Sequence, residues 1–335
     1  MAVTLKDIAG QVGVSPAAVS LVLNDRPNRI SSEKRVLILE TARSMNYVPN
    51  QNAVGLVKGR SKALGIVIPD LRNLFFSELV SGIDAVALSR GWNIIITSSH
   101  ERYSIDLQNI RTLAARDMDG ILLVPAGDAD GEAVKAYRQA LQEFGRPAIL
   151  VDRNLPLKIS RVAIHQRRGA ALAIEHLFAL GHRKIACLLG PGGVSGERLK
   201  GVEAAYRKRG IPLNGADLFP GDYTMVGGYA AADAIAQGGY TAVFSFNDMM
   251  AYGLYKRFRE LGVTIPGDLS VVGFDDIMFS DYLDVPLTSV HQPSYNLGVE
   301  AANRAFYELE NKGCPAETIL LEPTLQIRKS TAAPR

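Results

Sequence analysis

Seven short apolar runs constrain the fold more than anything else in this chain: LGIVIPD (64–70), WNIIITS (92–98), GILLVPA (120–126), PAILVD (147–152), KIACLLG (184–190), TAVFSF (241–246) and LSVVGFD (269–275). A strand that alternates polar and apolar residues buries one face. A strand that is mostly apolar buries both, as in a parallel sheet covered by helices on each side. Helical segments stand between the runs, for example at 76–90, 168–180 and 249–261. Strand and helix in alternation predict doubly wound α/β sheets. In such sheets ligands bind beyond the carboxyl ends of the strands. Several runs end there in a polar residue: Asp70, Asp152 and Asp275, with Asn247 just past one.

The 335 residues allow two or three domains, and 47% hydrophobic with 21% charged residues is ordinary globular composition. The two cysteines, Cys187 and Cys314, have no metal or redox spacing, and Cys187 reads as core. His165 has no second His or Cys at ligand spacing, so no metal is expected. The sequence has no GxGxxG, no P-loop and no Ser-His-Asp arrangement, so no catalytic residue and no cofactor is expected. MAVTLKDIAG does not read as a signal peptide, and no run is long enough to span a membrane. A cytoplasmic protein without membrane contact is the expectation.

Charge is uneven. Residues 1–60 carry eight Lys/Arg against four acids, a surplus of four, on a whole-chain net charge of +3. A basic N-terminal piece on a near-neutral body is the footprint of a nucleic-acid-binding module, and equally of a solvated basic face. In this piece Thr4 can cap a helix carrying Leu5, Ile8, Ala9 and Val12 on one side. Gly13 stops it. Ser15 caps a second helix with Pro16 in its first position, and Val19, Val22 and Leu23 point inward. A third helix runs over 32–45 with Ile38, Leu39, Ala42 and Met45 inward, and Asn46 can end it. Two short helices around a tight turn plus a third describe a helix-turn-helix or a plain three-helix bundle; the pattern alone leaves both open.

TLKDIAGQVGVSPAAVSLVLN, followed by NYVPN, resembles the headpiece of the lactose-repressor family of bacterial transcription regulators. The matching residues are Thr4, Asp7, Ile8, Ala9, Gly13, Val14, Ser15, Val19, Ser20, Leu23 and Asn24. The resemblance continues through nearly the whole chain, in PDLRNLFF, DGILLVP, ALGHRKIA, ERLKG, FSFNDMMAYG, LSVVGFDD and PLTSVHQP. It implies a DNA-binding headpiece over 1–48, a hinge helix over 49–61, and a periplasmic-binding-protein-like body over 62–335 for effector binding and dimerisation. The body would hold two Rossmann-like subdomains, one at about 62–160 plus 293–322, the other at 161–290 plus 323–335.

By the same resemblance, Thr4, Ser15, Pro16, Ala17, Ser20, Leu21 and Asn24 meet DNA. The family's frequent Thr is Ala18 here, and its usual Arg is Leu21. Pro16, Ala17 and Leu21 cannot make bidentate hydrogen bonds to bases, so direct readout rests on apolar contact or on residues such as Ser20. In the hinge, Asn50, Ala53 and Leu56 match the family pattern, and Leu56 is the expected minor-groove wedge. Val54-Gly55 replaces the family's Arg-Ser.

The resemblance also assigns the effector site. Arg198 matches the Arg of the R-L-x-G segment, and Asp275 matches the sugar-binding Asp. Asp276 should point the other way. Asn73 and Gln292 follow as further contacts, Phe75 contacts ligand or is core, and Tyr223 follows as a stacking ring. Asp152 contacts ligand or closes a turn. Asn247 contacts ligand or caps the next helix. Where the family has Asp-Asn, this chain has His165-Gln166, which bears on the contacts between subdomains. The expected function is that of a transcription regulator, a repressor, bound as a homodimer to a pseudo-palindromic operator and controlled by a sugar or sugar derivative. The alternatives are a nucleobase or nucleoside corepressor, a solute-binding protein and a sugar-processing enzyme.

Overall fold

The computed structural model describes residues 3–24, 26–47, 61–129 and 131–335. The chain divides into two compact units, Met1–Ser61 and Lys62–Arg335.

Among its described residues the small unit holds three helices: α1 (Leu5–Val12), α2 (Pro16–Leu23) and α3 (Ser32–Ser44). Its core is Ile8, Ala9, Val12, Val19, Val22, Ile38 and Ala42, with Leu23, Leu39 and Met45 half-buried against it. At the start of α1 the Asp7 carboxylate accepts both the Thr4 backbone N–H at 2.8 Å and the Thr4 hydroxyl at 2.7 Å. Thr4 and Asp7 form a reciprocal capping box, each side chain reaching the other's backbone, as the predicted Thr4 cap requires. These bonds hold the Asp7 carboxyl below its usual range. Gly13 closes α1 in the left-handed region at φ 69°, and Ser15 Oγ caps α2 by accepting from Ala18 N–H at 3.2 Å. Asn50, Ala53 and Leu56 of the expected hinge lie outside the described residues.

The large unit holds two six-stranded sheets. Sheet one is ordered β2 (Asn93–Ser98), β1 (Ala63–Ile68), β3 (Gly120–Leu123), β4 (Ala148–Val151), β5 (Arg161–Ile164) and β11 (Thr318–Leu321), and every pair is parallel. Sheet two is ordered β7 (Leu218–Phe219), β6 (Ile185–Leu188), β8 (Ala242–Ser245), β9 (Ser270–Asp275), β10 (Thr288–His291) and β12 (Thr324–Gln326), with only β12 antiparallel. All seven apolar runs are strands.

The helices are α4 (Leu74–Ser89), α5 (Tyr103–Ala115), α6 (Gly131–Phe144), α7 (Gln166–Ala179), α8 (Gly192–Lys208), α9 (Met225–Gln237), α10 (Asp248–Leu261) and α11 (Ser294–Glu310). Two core clusters wrap sheet one and a third wraps sheet two. Among the described residues no helix is long and apolar enough to cross a membrane.

The chain passes between sheets three times: from β5 to α7, from β10 to α11, and from β11 to β12. The predicted subdomain boundary at 160/161 needs correction. Arg161 and Val162 pair with Leu150 and Val151 of β4, so the first subdomain runs on through Ile164. The apolar part of this strand is only Val162-Ala163-Ile164, too short to stand out as a run.

Candidate functional site

A cavity of about 240 Å³ opens where the carboxyl ends of both sheets converge. It is lined by all eight residues that the sequence nominates, Asn73, Phe75, Asp152, Arg198, Tyr223, Asn247, Asp275 and Gln292. Asp152 follows β4, and Asp275 ends β9. Arg198 lies one turn and a half into α8 and is buried.

A buried chain of polar contacts ties these residues together. Arg198 Nε donates to Gln166 Oε1 at 2.8 Å, and its Nη1 donates to the Phe246 carbonyl. Gln166 Nε2 in turn donates to Asp152 Oδ1 and to Gln292 Oε1, each at 2.9 Å. Gln292 Nε2 donates to Asp275 Oδ1 at 2.6 Å. Asp275 also lies 3.7 Å from Arg198 Nη2. The Arg198 guanidinium stacks 3.7 Å over the Phe274 ring, so one apolar face of the cation is covered and its edge is left for polar partners. Asp276 turns away, as expected, and pairs with Arg328 at 2.6 Å and His291 at 3.0 Å.

Backbone strain is concentrated here. Asp152 (φ 61°), Tyr223 (φ 63°), Asp275 (φ 115°), His100 (φ 53°) and Glu101 (φ 59°) are in the left-handed region without being glycine, and all five line the cavity. Such conformations cost about 1–3 kcal/mol each and persist where function uses them. Burial pushes the carboxyls of Asp152 and Asp275 up from their usual range, with the Arg198 charge acting against the shift on both. The Tyr223 hydroxyl is buried and has no protein partner among the described residues.

Two nominated residues are already committed to backbone. Asn247 Oδ1 caps α10 by accepting from Met250 N–H at 2.9 Å, while its Nδ2 donates to the Tyr223 carbonyl at 3.0 Å. The capping reading of Asn247 is the one realised, and it also fixes the Tyr223 loop. Asn73 caps α4 by accepting from Phe75 N–H at 3.0 Å. Phe75 is 3% exposed and packs edge-on against Phe76, so it is core with one edge at the cavity.

The hub, Gln166, was not a site candidate; its only signal was the His165-Gln166 departure from the family's Asp-Asn. Arg153 and Glu101 were missed altogether. They form a two-pronged ion pair at 2.6 and 2.7 Å on the wall of the cavity. They are 52 residues apart, and no motif signals the pair.

In the small unit, Thr4, Ser15, Pro16 and Ala17 are exposed, and Ser20, Leu21 and Asn24 are half-buried. Asn24 Nδ2 donates to the Ser20 carbonyl at 2.8 Å, closing its own helix. The exposed N-terminal turn of α2 therefore presents one hydroxyl and apolar groups, with no long polar side chain.

Known proteins resemble both units. Residues 4–50 match the family model "Bacterial regulatory proteins, lacI family", and residues 174–331 match "Periplasmic binding protein-like domain". The HTH-type transcriptional repressor PurR of Vibrio vulnificus (strain CMCP6) is 30% identical over 97% of this chain and 97% of its own. A Lac repressor dimer bound to operator and the anti-inducer ONPF superposes with a TM-score of 0.88 at 27% identity, covering 99% of this chain and 100% of that one. A LacI family transcriptional regulator from Enterococcus faecium with bound ribose superposes with a TM-score of 0.75 at 28% identity, covering 82% of this chain and 100% of that one.

Proposed function

This chain belongs to the lacI family of bacterial regulatory proteins and is a DNA-binding transcription regulator, and from that premise we propose that it represses transcription as a homodimer on a pseudo-palindromic operator, under the control of a sugar or sugar derivative held in the cleft. The observation that carries the effector reading is the buried chain Arg198–Gln166–Gln292–Asp275, with Asp152 on the same amide. It offers carboxylate acceptors and guanidinium donors in a cleft beside Phe75, Phe76 and Tyr223. A sugar has the complementary make-up, hydroxyls that both donate and accept around a face of C–H groups. The cavity volume of about 240 Å³ suits a monosaccharide, and the Enterococcus faecium relative has bound ribose. No catalytic step is proposed for the cleft, since the proteins this chain resembles are named as transcription regulators.

Arg198 and Asp275 stand on sheet two and its helices, Asp152 follows sheet one, and Gln166 and Gln292 stand where the chain crosses between them. A ligand touching all of them fixes the angle between subdomains. That angle sets the spacing of the two hinge segments in a dimer, where Leu56 is the wedge into DNA. On the DNA side, Ser15, Pro16, Ala17, Ser20 and Leu21 are the proposed contacts. Large apolar side chains left exposed, among them Met225, Val226, Phe279 and Tyr282, supply surface for the partner subunit.

Coupling of this kind is typically about 1–3 kcal/mol and must be reciprocal. The test is a thermal-shift panel of monosaccharides, sugar phosphates and nucleobases, followed by operator titration with and without the compound that shifts most. The reading expects a sugar to shift the melting temperature and to change operator affinity about 5- to 150-fold. A hit that leaves operator affinity unchanged removes the allosteric claim, and a hit confined to nucleobases removes the sugar.

A further inference from the structure

A second cavity, about 700 Å³, stands apart from the cleft. It lies at the opposite end of sheet one, beside Ala148 at the start of β4, Ser160 just before β5 and Ala316 just before β11. In a parallel sheet those are the amino ends of the strands, so this cavity cannot be an extension of the cleft, which sits at their carboxyl ends.

Its floor and its rim differ in character. Leu141, Pro147, Leu157 and Ile159 supply apolar surface. The one acid, Glu308, is neutralised: it accepts from Ser160 Oγ at 2.5 Å and from Arg304 Nε at 3.0 Å. Of the three cations, Arg146 is spent on the Asp117 and Met118 carbonyls, both at 2.6 Å, and on the Asp117 carboxylate at 3.1 Å. Arg138 and Lys158 are exposed and have no hydrogen-bond or ion-pair partner among the described residues. An apolar trough with two uncommitted cations and no free acid is complementary to an anion with an apolar body.

We propose that this cavity is a second small-molecule site, separate from the effector cleft, and that it takes amphipathic organic anions: an aromatic or aliphatic body on Leu141, Leu157 and Ile159, with its carboxylate or sulfonate held by Arg138 and Lys158. Ordinary ligand pockets enclose about 300–1,000 Å³, and this one is within that range. Its position gives it a route to the regulatory machinery. β5 and β11 run from this cavity to two of the three crossings between subdomains.

The chain carries its own reporter. Cys314 lines the cavity and is half-buried, while Cys187 is fully buried in the core, so a neutral thiol reagent reads Cys314 in the folded protein. The probe is 8-anilinonaphthalene-1-sulfonate, with the full-length chain and N-ethylmaleimide as the thiol reagent. The proposal expects one saturable site, at least tenfold slower alkylation of Cys314 when it is filled, and no competition from the cleft effector. Arg138→Glu with Lys158→Glu should raise the dissociation constant at least tenfold without moving the melting temperature, and the uncharged N-phenyl-1-naphthylamine should bind at least tenfold more weakly. Binding without protection of Cys314 overturns the site. Equal affinity of the charge-reversed chain, or of the neutral analogue, overturns the anion. A change in sedimentation of the charge-reversed chain without any probe makes this face an interface between copies and also overturns the proposal.

Discussion

The headpiece and the body are stabilised differently. The headpiece core is made of Ile8, Ala9, Val12, Val19, Val22, Ile38 and Ala42, without one fully buried aromatic ring. The body buries Tyr137, Phe178, Tyr206, Phe244, Phe246, Phe258, Phe274 and Phe306 around two sheets. A unit of some sixty residues has little core to spare, so local signals such as Ser15 and Gly13 carry a large share of its stability. The body has core in excess and uses it to hold strained backbone and buried carboxylates at the cleft. On core size alone the headpiece is the less stable of the two units and the body the more stable.

The largest effect that would break this contrast comes from Ile38→Ala. Truncating a fully buried isoleucine costs about 2–5 kcal/mol, enough to unfold the headpiece alone. Operator binding should vanish while the effector-induced thermal shift of the body stays as in the parent chain. Operator affinity within threefold of the parent would show that the headpiece is not marginal.

Next is Asp275→Asn. Hydrogen bonds to charged groups contribute about 1.5–3 kcal/mol, so effector affinity measured by calorimetry should fall tenfold or more. Operator affinity of the effector-free chain should not move. If effector affinity holds, the cleft assignment is wrong although the regulator is real.

The third effect is in pH. Burial pushes the Asp248 carboxyl up to about 7, against hydrogen bonds from Ser280, Ser289 and Ile277 N–H. In the unfolded chain it titrates near 4. Folding therefore takes up a proton between about pH 4 and 7, and this group's stabilising share is present at low pH and lost as pH rises through 7. Asp248→Asn mimics the protonated form. Its stability relative to the parent should rise between about pH 4 and 7 and level off above that, with a slope of at most about 1.4 kcal/mol per pH unit. A pH-independent difference in melting temperature would mean that Asp248 does not titrate there.

The smallest effect sharpens the comparison most directly. Ser15 caps α2 and Thr224 caps α9, each by accepting a backbone N–H, at 3.2 and 3.1 Å. Removing such a cap costs about 1 kcal/mol in either place. In the small unit that is about 4 °C or more of melting temperature, and in the body about 2–4 °C. Ser15→Ala and Thr224→Ala, followed by calorimetry with the two transitions resolved, measure the difference; equal shifts would contradict it.

The same division separates what was readable in the sequence from what was not. The headpiece was legible to within a residue, because capping residues, a left-handed Gly13 and helical spacing act over one or two turns. The seven strands inside long apolar runs were legible because parallel strands buried on both faces need unbroken apolar runs. The strands β5, β7, β10, β11 and β12 were not, since their two to four residues stand in no longer apolar run and are held by neighbours far away in sequence.

The site divides in the same way. Arg198, Asp275 and Asp152 could be nominated from motif and strand end. That Asn247 spends its side chain on a cap and a carbonyl was undecided, because both uses ask for the same residue. Gln166 as the hub, and Arg153 on Glu101, were decided only by tertiary structure. A buried hydrogen bond joins whatever the crossings bring within 3 Å. Sequence specifies each partner's chemistry, but the folding of both sheets determines which partners meet.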